Sequence, residues 1–335
     1  MEKFELQDFF KRIDLNIELD AISKDICRNY NLGLYVSQEL IPIGYEDFNY
    51  ILNTSINKYC VKIFSKERTK QEIIDYIDRM ENVTDIGINF PSVIKINNKS
   101  LYELTIKDVT YKICVFEHID GKNYLELQTK PTIEELKEIA RQMAILHKID
   151  YKPNFTYDTW AIINFKQEYE KKHKYIESEY LKPVYDLYGK FKNLDISQFP
   201  YAFTHGDIIS TNVMKDINNK LWIIDFSVSN YLPRIIDLVV TSCNLCLIED
   251  NKEETYSRIK VLLDEYRKHI KLTEIELNKF QLFFDFANAM HVLSASYQKG
   301  IGNTSEENEY WLNEGKIGLQ QSDAEKFNEI LKWKE

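Results

Sequence analysis

The sequence contains no run approaching the roughly 18 continuous apolar residues that a membrane-spanning helix requires, so no membrane partner is expected. Its opening, Met1 to Asp20, lacks both the basic start and the apolar centre of a secretion signal. Cysteine is sparse. There are five, an odd number and widely spread, which argues against a disulfide framework and favours a cytoplasmic setting. Cys243 and Cys246 form a C-x-x-C inside the apolar run "IIDLVVTSCNLCLIED", but no second Cys or His pair follows at zinc spacing. Core packing is the role expected for them. Positive charge is also short: 43 Lys and Arg stand against 53 Asp and Glu, a net charge of −10 over 335 residues. Binding a nucleic-acid backbone needs concentrated positive charge, so nucleic acid is not expected as a partner. An acidic balance suits a cationic substrate, although most acidic proteins are simply soluble ones. Internal repeats and low-complexity linkers are missing as well.

What is present is ample core material, 44% hydrophobic residues, enough for one large domain or two lobes. The first third alternates short strand-like runs with a few helical ones. "IELDAISKDICRNYNLG" reads as an amphipathic helix capped at Gly33. "LYVSQELIPIG", "DFNYILNTS" and "KYCVKIFSK" read as strands separated by Gly and Asn turns. "KERTKQEIIDYIDRMEN" carries Ile73, Ile74, Ile77 and Met80 at helical spacing. Two more strands are expected around an Asn97–Asn98 turn and at "TYKICVFEHI". Near Asp120 and Gly121 the texture changes. "PTIEELKEIARQMAILHKID" opens with Pro131 and Thr132 and places Ile139, Met143 and Leu146 on one face. Long helices are expected from there, interrupted by a strand-rich stretch at 201–227. The reading is α+β with two lobes: residues 1–118, an antiparallel sheet with one inserted helix, and residues 119–335, larger and mostly helical.

The stretch "FTHGDIISTNVMKDINNKLWIIDFS", Phe203 to Ser227, is where chemistry concentrates. A short apolar strand delivers His205, Gly206 and Asp207 into a loop, Asn212 follows, and after a hairpin turn the strand "LWIID" ends at Asp225. The hairpin is expected to bring Asp207, Asn212 and Asp225 to one edge of a small sheet. Two carboxylates and an amide there make a hard-oxygen site suited to Mg²⁺, with one carboxylate left for proton handling. Lys62 is the one charged residue in the apolar strand "YCVKIF" and wants a counter-charge; Glu72, on the following helix, is the partner expected. Gly44 falls in a turn between strands, where backbone amides could cover phosphates, although G-x-G-x-x-G is absent.

Taken together these residues resemble the aminoglycoside phosphotransferase and choline kinase superfamily, protein-kinase relatives that phosphorylate small molecules. "HGDIISTN" and "IIDF" are similar to its H-G-D-x4-N and I-D-F patterns, "GYEDFNYIL…YCVKIF" to its glycine turn and nucleotide lysine, "CVFEHIDG" to its hinge, and "PRIIDL" to the segment after the metal aspartate. The resemblance spans about residues 30–245 and implies a protein-kinase-like fold. It implies a first lobe that binds nucleotide and a second that carries catalysis and substrate. It further implies Asp207 as catalytic base, Asn212 and Asp225 on Mg²⁺, Lys62 on the nucleotide phosphates, and backbone groups of Glu117 and Ile119 on adenine. The cofactors implied are ATP, with GTP an option, and Mg²⁺. The acceptor is then a hydroxyl of a small molecule such as an aminoglycoside, choline or homoserine. The arginine of H-R-D is missing, Ser227 replaces the glycine of D-F-G, and no A-P-E follows, so a protein kinase fits poorly. His205 is expected to brace the loop, His147 to pack in its helix, Asp237 to tie the loop down, and Trp160 and Trp311 to belong to the core. The rival reading is a non-catalytic nucleotide-binding protein of the same fold.

Overall fold

The computed structural model describes residues 9–41, 47–84 and 86–332. The chain divides into two compact units, Met1–Thr84 with Phe90–Gly121, and Asp85–Asn89 with Lys122–Glu335. The segment 85–89, which the sequence reading left in the first lobe, belongs to the second. Asn89 holds it there: its carbonyl accepts from Ile223 N at 2.9 Å, its amide nitrogen donates to the Leu221 carbonyl at 2.8 Å, and its N–H donates to Gln142 Oε1 at 2.8 Å.

In the first unit, helix α1 (Leu19–Asn29) precedes β1 (Tyr35–Ile41), β2 (Phe48–Thr54) and β3 (Lys58–Ile63). After them come helix α2 (Lys70–Val83) and strands β4 (Val93–Ile94), β5 (Tyr102–Ile106) and β6 (Val109–Glu117). The pairing is antiparallel throughout, in the order β1-β2-β3-β6-β4 with β5 also on β6. Apolar residues of α1 (Ile22, Ile26) pack with Phe48, Tyr50, Leu52, Val61 and Ile63 in one core. The expected cap of α1 comes two residues early. Asn31 (φ 56°) takes the left-handed capping position ahead of Gly33, which is itself at φ 89°, and Leu32 N returns to the Cys27 carbonyl at 3.0 Å, as in a Schellman ending. Asn97 and Asn98 both have positive φ, and Ile96 and Lys99 exchange two bonds of 2.9 Å, a two-residue primed hairpin turn. On α2 the buried face is Ile73, Tyr76, Met80 and Val83; Ile74 points outward.

The second unit is mostly helical. Helix α3 (Ile133–Leu146) starts at a Thr132–Glu135 capping box and buries Leu136, Ile139 and Met143. Helices α4 (Phe165–Lys172) and α5 (Ser178–Lys192) lead to four short strands: β7 (Tyr201–Thr204), β8 (Val213–Asp216), β9 (Leu221–Ile223) and β10 (Asn230–Pro233). β8 pairs with β9 as a hairpin, and β7 pairs with β10. Helices α6 (Ile235–Leu245), α7 (Lys252–Arg267), α8 (Glu274–Gly300), α9 (Glu306–Gln321) and α10 (Ala324–Leu331) complete the unit. α8 is buried over most of its 27 residues, and α9 lies close against it because position 318 is glycine: a Cβ there would fall 1.9 Å from Asn288 Oδ1. Cys243 and Cys246 are buried free thiols inside α6 and its end, so they pack, as expected. Among the described residues no helix is long and apolar enough to cross a membrane.

Candidate active site

The loop after β7 is held by buried polar groups. Gly206 adopts φ 86°, which disfavours a side chain, and its carbonyl-side neighbour Asp207 is thereby turned back toward His205. His205 is fully buried: its Nε2 donates to the Ile224 carbonyl at 3.0 Å, and Nδ1 accepts from Asp207 N at 3.1 Å. Burial pushes its pKa below the ordinary histidine value, so it is a neutral brace joining the loop to the segment that carries Asp225. Asp237, from α6, accepts from His205 N at 2.8 Å and Gly206 N at 2.7 Å. His147, in contact with the Asp237 carboxylate at 2.9 Å and the Tyr266 hydroxyl at 2.8 Å, completes that anchor. Burial alone would raise Asp237, but the bond and charge of His147 outweigh it and hold the carboxyl below its usual value.

Asp207 and Asn212 meet directly. Asn212 Nδ2 donates to Asp207 Oδ2 at 2.8 Å and to its carbonyl at 3.0 Å, which leaves the amide oxygen turned the other way. The Asn212 carbonyl accepts from Ile224 N at 2.9 Å, so Asn212 and Asp225 are carried on adjoining backbone. Asp225 lies two residues beyond β9 with φ 63°, a conformation costly for a residue with a side chain, and Ser227 N donates to its Oδ1 at 3.1 Å. Burial first, then the negative charges of Asp158 and Asp225, push Asp207 up to about 7; the Asn212 bond opposes them. The negative charges of Asp158 and Asp225 beside Asp207 make this a place that favours a cation. The donors suit Mg²⁺: a carboxylate at Asp225 and an amide oxygen at Asn212, both hard. Among the described residues no group of three or more His, Cys, Asp or Glu could hold a metal, so the protein would supply few ligands and leave the rest to phosphate oxygens and water.

In the first unit, Lys62 sits in β3 opposite Asn49 of β2 and Cys114 of β6. Its partner is Asp47, at 3.4 Å, with its ammonium 5.0 Å above the Tyr76 ring. Glu72 does not pair with it. That carboxylate is exposed and caps α2, accepting from Thr69 N at 2.7 Å while Thr69 Oγ1 accepts from Glu72 N at 3.2 Å. The Thr-x-x-Glu spacing makes this assignment in hindsight. Asp47 is buried and is also gripped by Arg68 (2.8 and 3.1 Å) and Ser65 N (3.0 Å). Burial pushes its carboxyl up, but Lys62 and Arg68 more than offset this and it stays below the usual range. Glu117 ends β6 with its N–H donated to the Ser92 carbonyl at 2.9 Å, and Ile119 is buried just beyond it. Gly44 lies outside the described residues. Asp47 and Asp158 are the residues that sequence reasoning missed. A register signal existed for Asp47, since Asn49 opposite Lys62 places residue 47 on the same face one step away. None existed for Asp158, whose carboxylate caps Trp160 N at 2.9 Å from an irregular loop. Trp311 is buried as expected, while Trp160 is half-buried, with His291 between the two rings.

A family model described as a phosphotransferase enzyme family matches residues 37–259. The homoserine kinase of Zymomonas mobilis subsp. mobilis is 21% identical over 258 residues, 74% of this chain and 77% of that protein. The homoserine kinase of Burkholderia cenocepacia is 27% identical over 199 residues, 56% of this chain; the chain spans about half of that relative's length, 55%. A microcompartment-associated aminopropanol kinase superposes with a TM-score of 0.66 at 14% identity, over 90% of this chain and 95% of that one. An amicoumacin kinase in complex with AMP-PNP and Ca²⁺ gives 0.64 at 16% identity, over 95% and 96%.

Proposed function

This chain belongs to the phosphotransferase enzyme family, whose members act on small molecules, and from that premise we propose that it moves the γ-phosphoryl group of ATP to a hydroxyl of a small amino alcohol. The observation that carries the reading is the half-buried cluster of Asp207, Asn212 and Asp225, with Asp207 bonded to Asn212 and pushed up to about 7. In the reaction the acceptor oxygen forms a bond to phosphorus as the bond to the ADP oxygen breaks, and the acceptor proton passes to Asp207 Oδ. A carboxyl poised near neutrality both accepts that proton and gives it up afterwards. Mg²⁺, held by Asp225 and the Asn212 amide oxygen, would neutralise charge on the phosphates. Lys62, paired with Asp47, would grip those phosphates, and backbone groups of Glu117 and Ile119 would receive the base.

Asp158 supports an acceptor that carries a positive charge, because it adds a carboxylate beside the base beyond the two needed for metal and proton transfer. The names of the related sequences make homoserine the first acceptor to test. The test incubates the protein with Mg·ATP and a panel of homoserine, choline, ethanolamine, aminopropanol and aminoglycosides, and reads phosphorylated product by mass spectrometry. One amino alcohol should be phosphorylated well above the rate of ATP hydrolysis alone. Nucleotide binding without any phosphorylated product would favour the non-catalytic alternative.

A further inference from the structure

Helix α6 is apolar apart from one polar stripe and Ser242, whose hydroxyl is spent on the Leu238 carbonyl of the same helix. Asp237, Thr241 and Asn244 fall at i, i+4 and i+7, on one face, and all three are buried. Each is spent on the backbone of the loop after β7. Asp237 takes His205 N and Gly206 N, Thr241 Oγ1 donates to the Ile208 carbonyl at 3.2 Å, and Asn244 Oδ1 accepts from Ser210 N at 2.7 Å. One helix face thus holds positions 205, 206, 208 and 210, and Asn244 is the rung nearest Asn212.

Asn244 is itself held from outside α6. Its Nδ2 donates to Glu314 Oε2 and to the Tyr310 hydroxyl, each at 3.2 Å, both on α9. Lys130 bridges the pair, with its ammonium 2.7 Å from the Asn244 carbonyl and 3.3 Å from Glu314 Oε2. Glu314 is buried, and burial pushes its carboxyl up to about 7 in spite of Lys130. Keeping such a group inside the protein is costly, and nothing in the transfer step uses it directly. It does settle which way the Asn244 amide faces. An asparagine amide presents an oxygen on one side and an NH₂ on the other, so a flip would set NH₂ against Ser210 N–H and oxygen against the Glu314 carboxylate. With the carboxylate in place only one orientation satisfies both neighbours.

We propose that Asn244, oriented by Glu314, is a positioning residue for phosphoryl transfer: by fixing the Ser210 amide it sets the spacing between Asp207, three residues before, and Asn212, two residues after. The proposal rests on the roles assigned above to Asp207 and Asn212. It assigns α9, outside the 37–259 match, a share in ordering the loop. Glu314 and Asn244 touch no reacting atom; they act through the loop backbone.

The test compares Glu314→Ala, Glu314→Gln, Asn244→Ala and the double Ala variant, using Mg·ATP and the best acceptor of the panel. Glu314→Ala should lower kcat about tenfold and leave KM for ATP within about twofold. Glu314→Gln, which still offers an oxygen to Asn244 Nδ2, should restore kcat to within about twofold of the parent. Because Glu314 acts through Asn244, Glu314→Ala should cost less than about a further twofold in the Asn244→Ala background. If Glu314→Ala does not fold, Tyr310→Phe, which removes only a hydroxyl from Asn244, replaces it with an expected loss of about threefold. Hydrogen–deuterium exchange of the peptide spanning 205–212, measured without turnover, should quicken in the Ala variants and stay parental in Glu314→Gln. Exchange is read whether or not any acceptor is phosphorylated, so a failed functional reading is distinguishable from a failed positioning role. Parental kcat and exchange in Glu314→Ala, additive losses, or a Gln variant as impaired as the Ala variant would overturn the proposal.

Discussion

At the scale of single residues, the two units use carboxylates shielded from water in opposite ways. Asp47 lies between Lys62 and Arg68 and is held ionised, so it gives a lysine inside a sheet its counter-charge. Asp207 has carboxylates for neighbours and is pushed up toward neutrality, which suits a group that must take a proton and release it. The expected consequence at Lys62 is separable from its surroundings. Lys62→Met and Asp47→Asn should each raise KM for ATP by about tenfold or more, whereas Glu72→Gln should leave it unchanged. Steady-state kinetics at varied ATP decides this, and a rise for Glu72→Gln would restore it as the lysine's partner. The sequence was readable here as far as its motif went. His205, Asp207, Asn212 and Asp225 lie within one 21-residue stretch, so local spacing identifies them together. The partner of Lys62 depended on strand register instead, and the contributions of Asp158 and Asn244 depend on chain segments that meet only after folding.

At the scale of elements, periodicity and capping were legible and fine choices between neighbours were not. The three strands before α2, the Asn97–Asn98 turn and the capped start of α3 follow from local chemistry alone. The end of α1 shows the weakness of a purely local rule: Asn31 and Gly33 both adopt positive φ, and the helix hydrogen bonds, not composition, place the cap at Asn31. Glu72 shows another. A glutamate at N3 after threonine has a local use that competes with any distant one. Glu72→Ala should therefore destabilise the first unit by about 1 kcal/mol, read as a lowered denaturant midpoint with an unchanged slope. No change in midpoint would mean that the cap contributes nothing to α2.

At the scale of the whole molecule, the acidic balance leaves several carboxylates inside the helical unit, and one of them makes stability depend on pH. Asp285 on α8 is pushed up to about 6, chiefly by burial, while the Ser322 hydroxyl bond at 2.5 Å opposes the shift. Its folded pKa lies above the unfolded value, so it favours the folded state fully only below about pH 4, and that contribution is lost as pH rises through about 6. Asp285→Asn keeps an acceptor for Ser322 and removes the charge. Its Tm should exceed the parent's by a few degrees at pH 8, and the gain should vanish near pH 4.5. A gain of equal size at both pH values would point to packing and not to ionisation.

The central claim is that Asp207, oriented by Asn212 beside Asp225, takes the proton in phosphoryl transfer. Its most direct test is the turnover of Asp207→Asn against the parent at saturating Mg·ATP and acceptor. The amide keeps the shape and can still meet Asn212, but it cannot accept the proton. The prediction is a fall in kcat by a factor of about 10² to 10⁴ with KM for ATP nearly unchanged. Parental turnover in Asp207→Asn would contradict it.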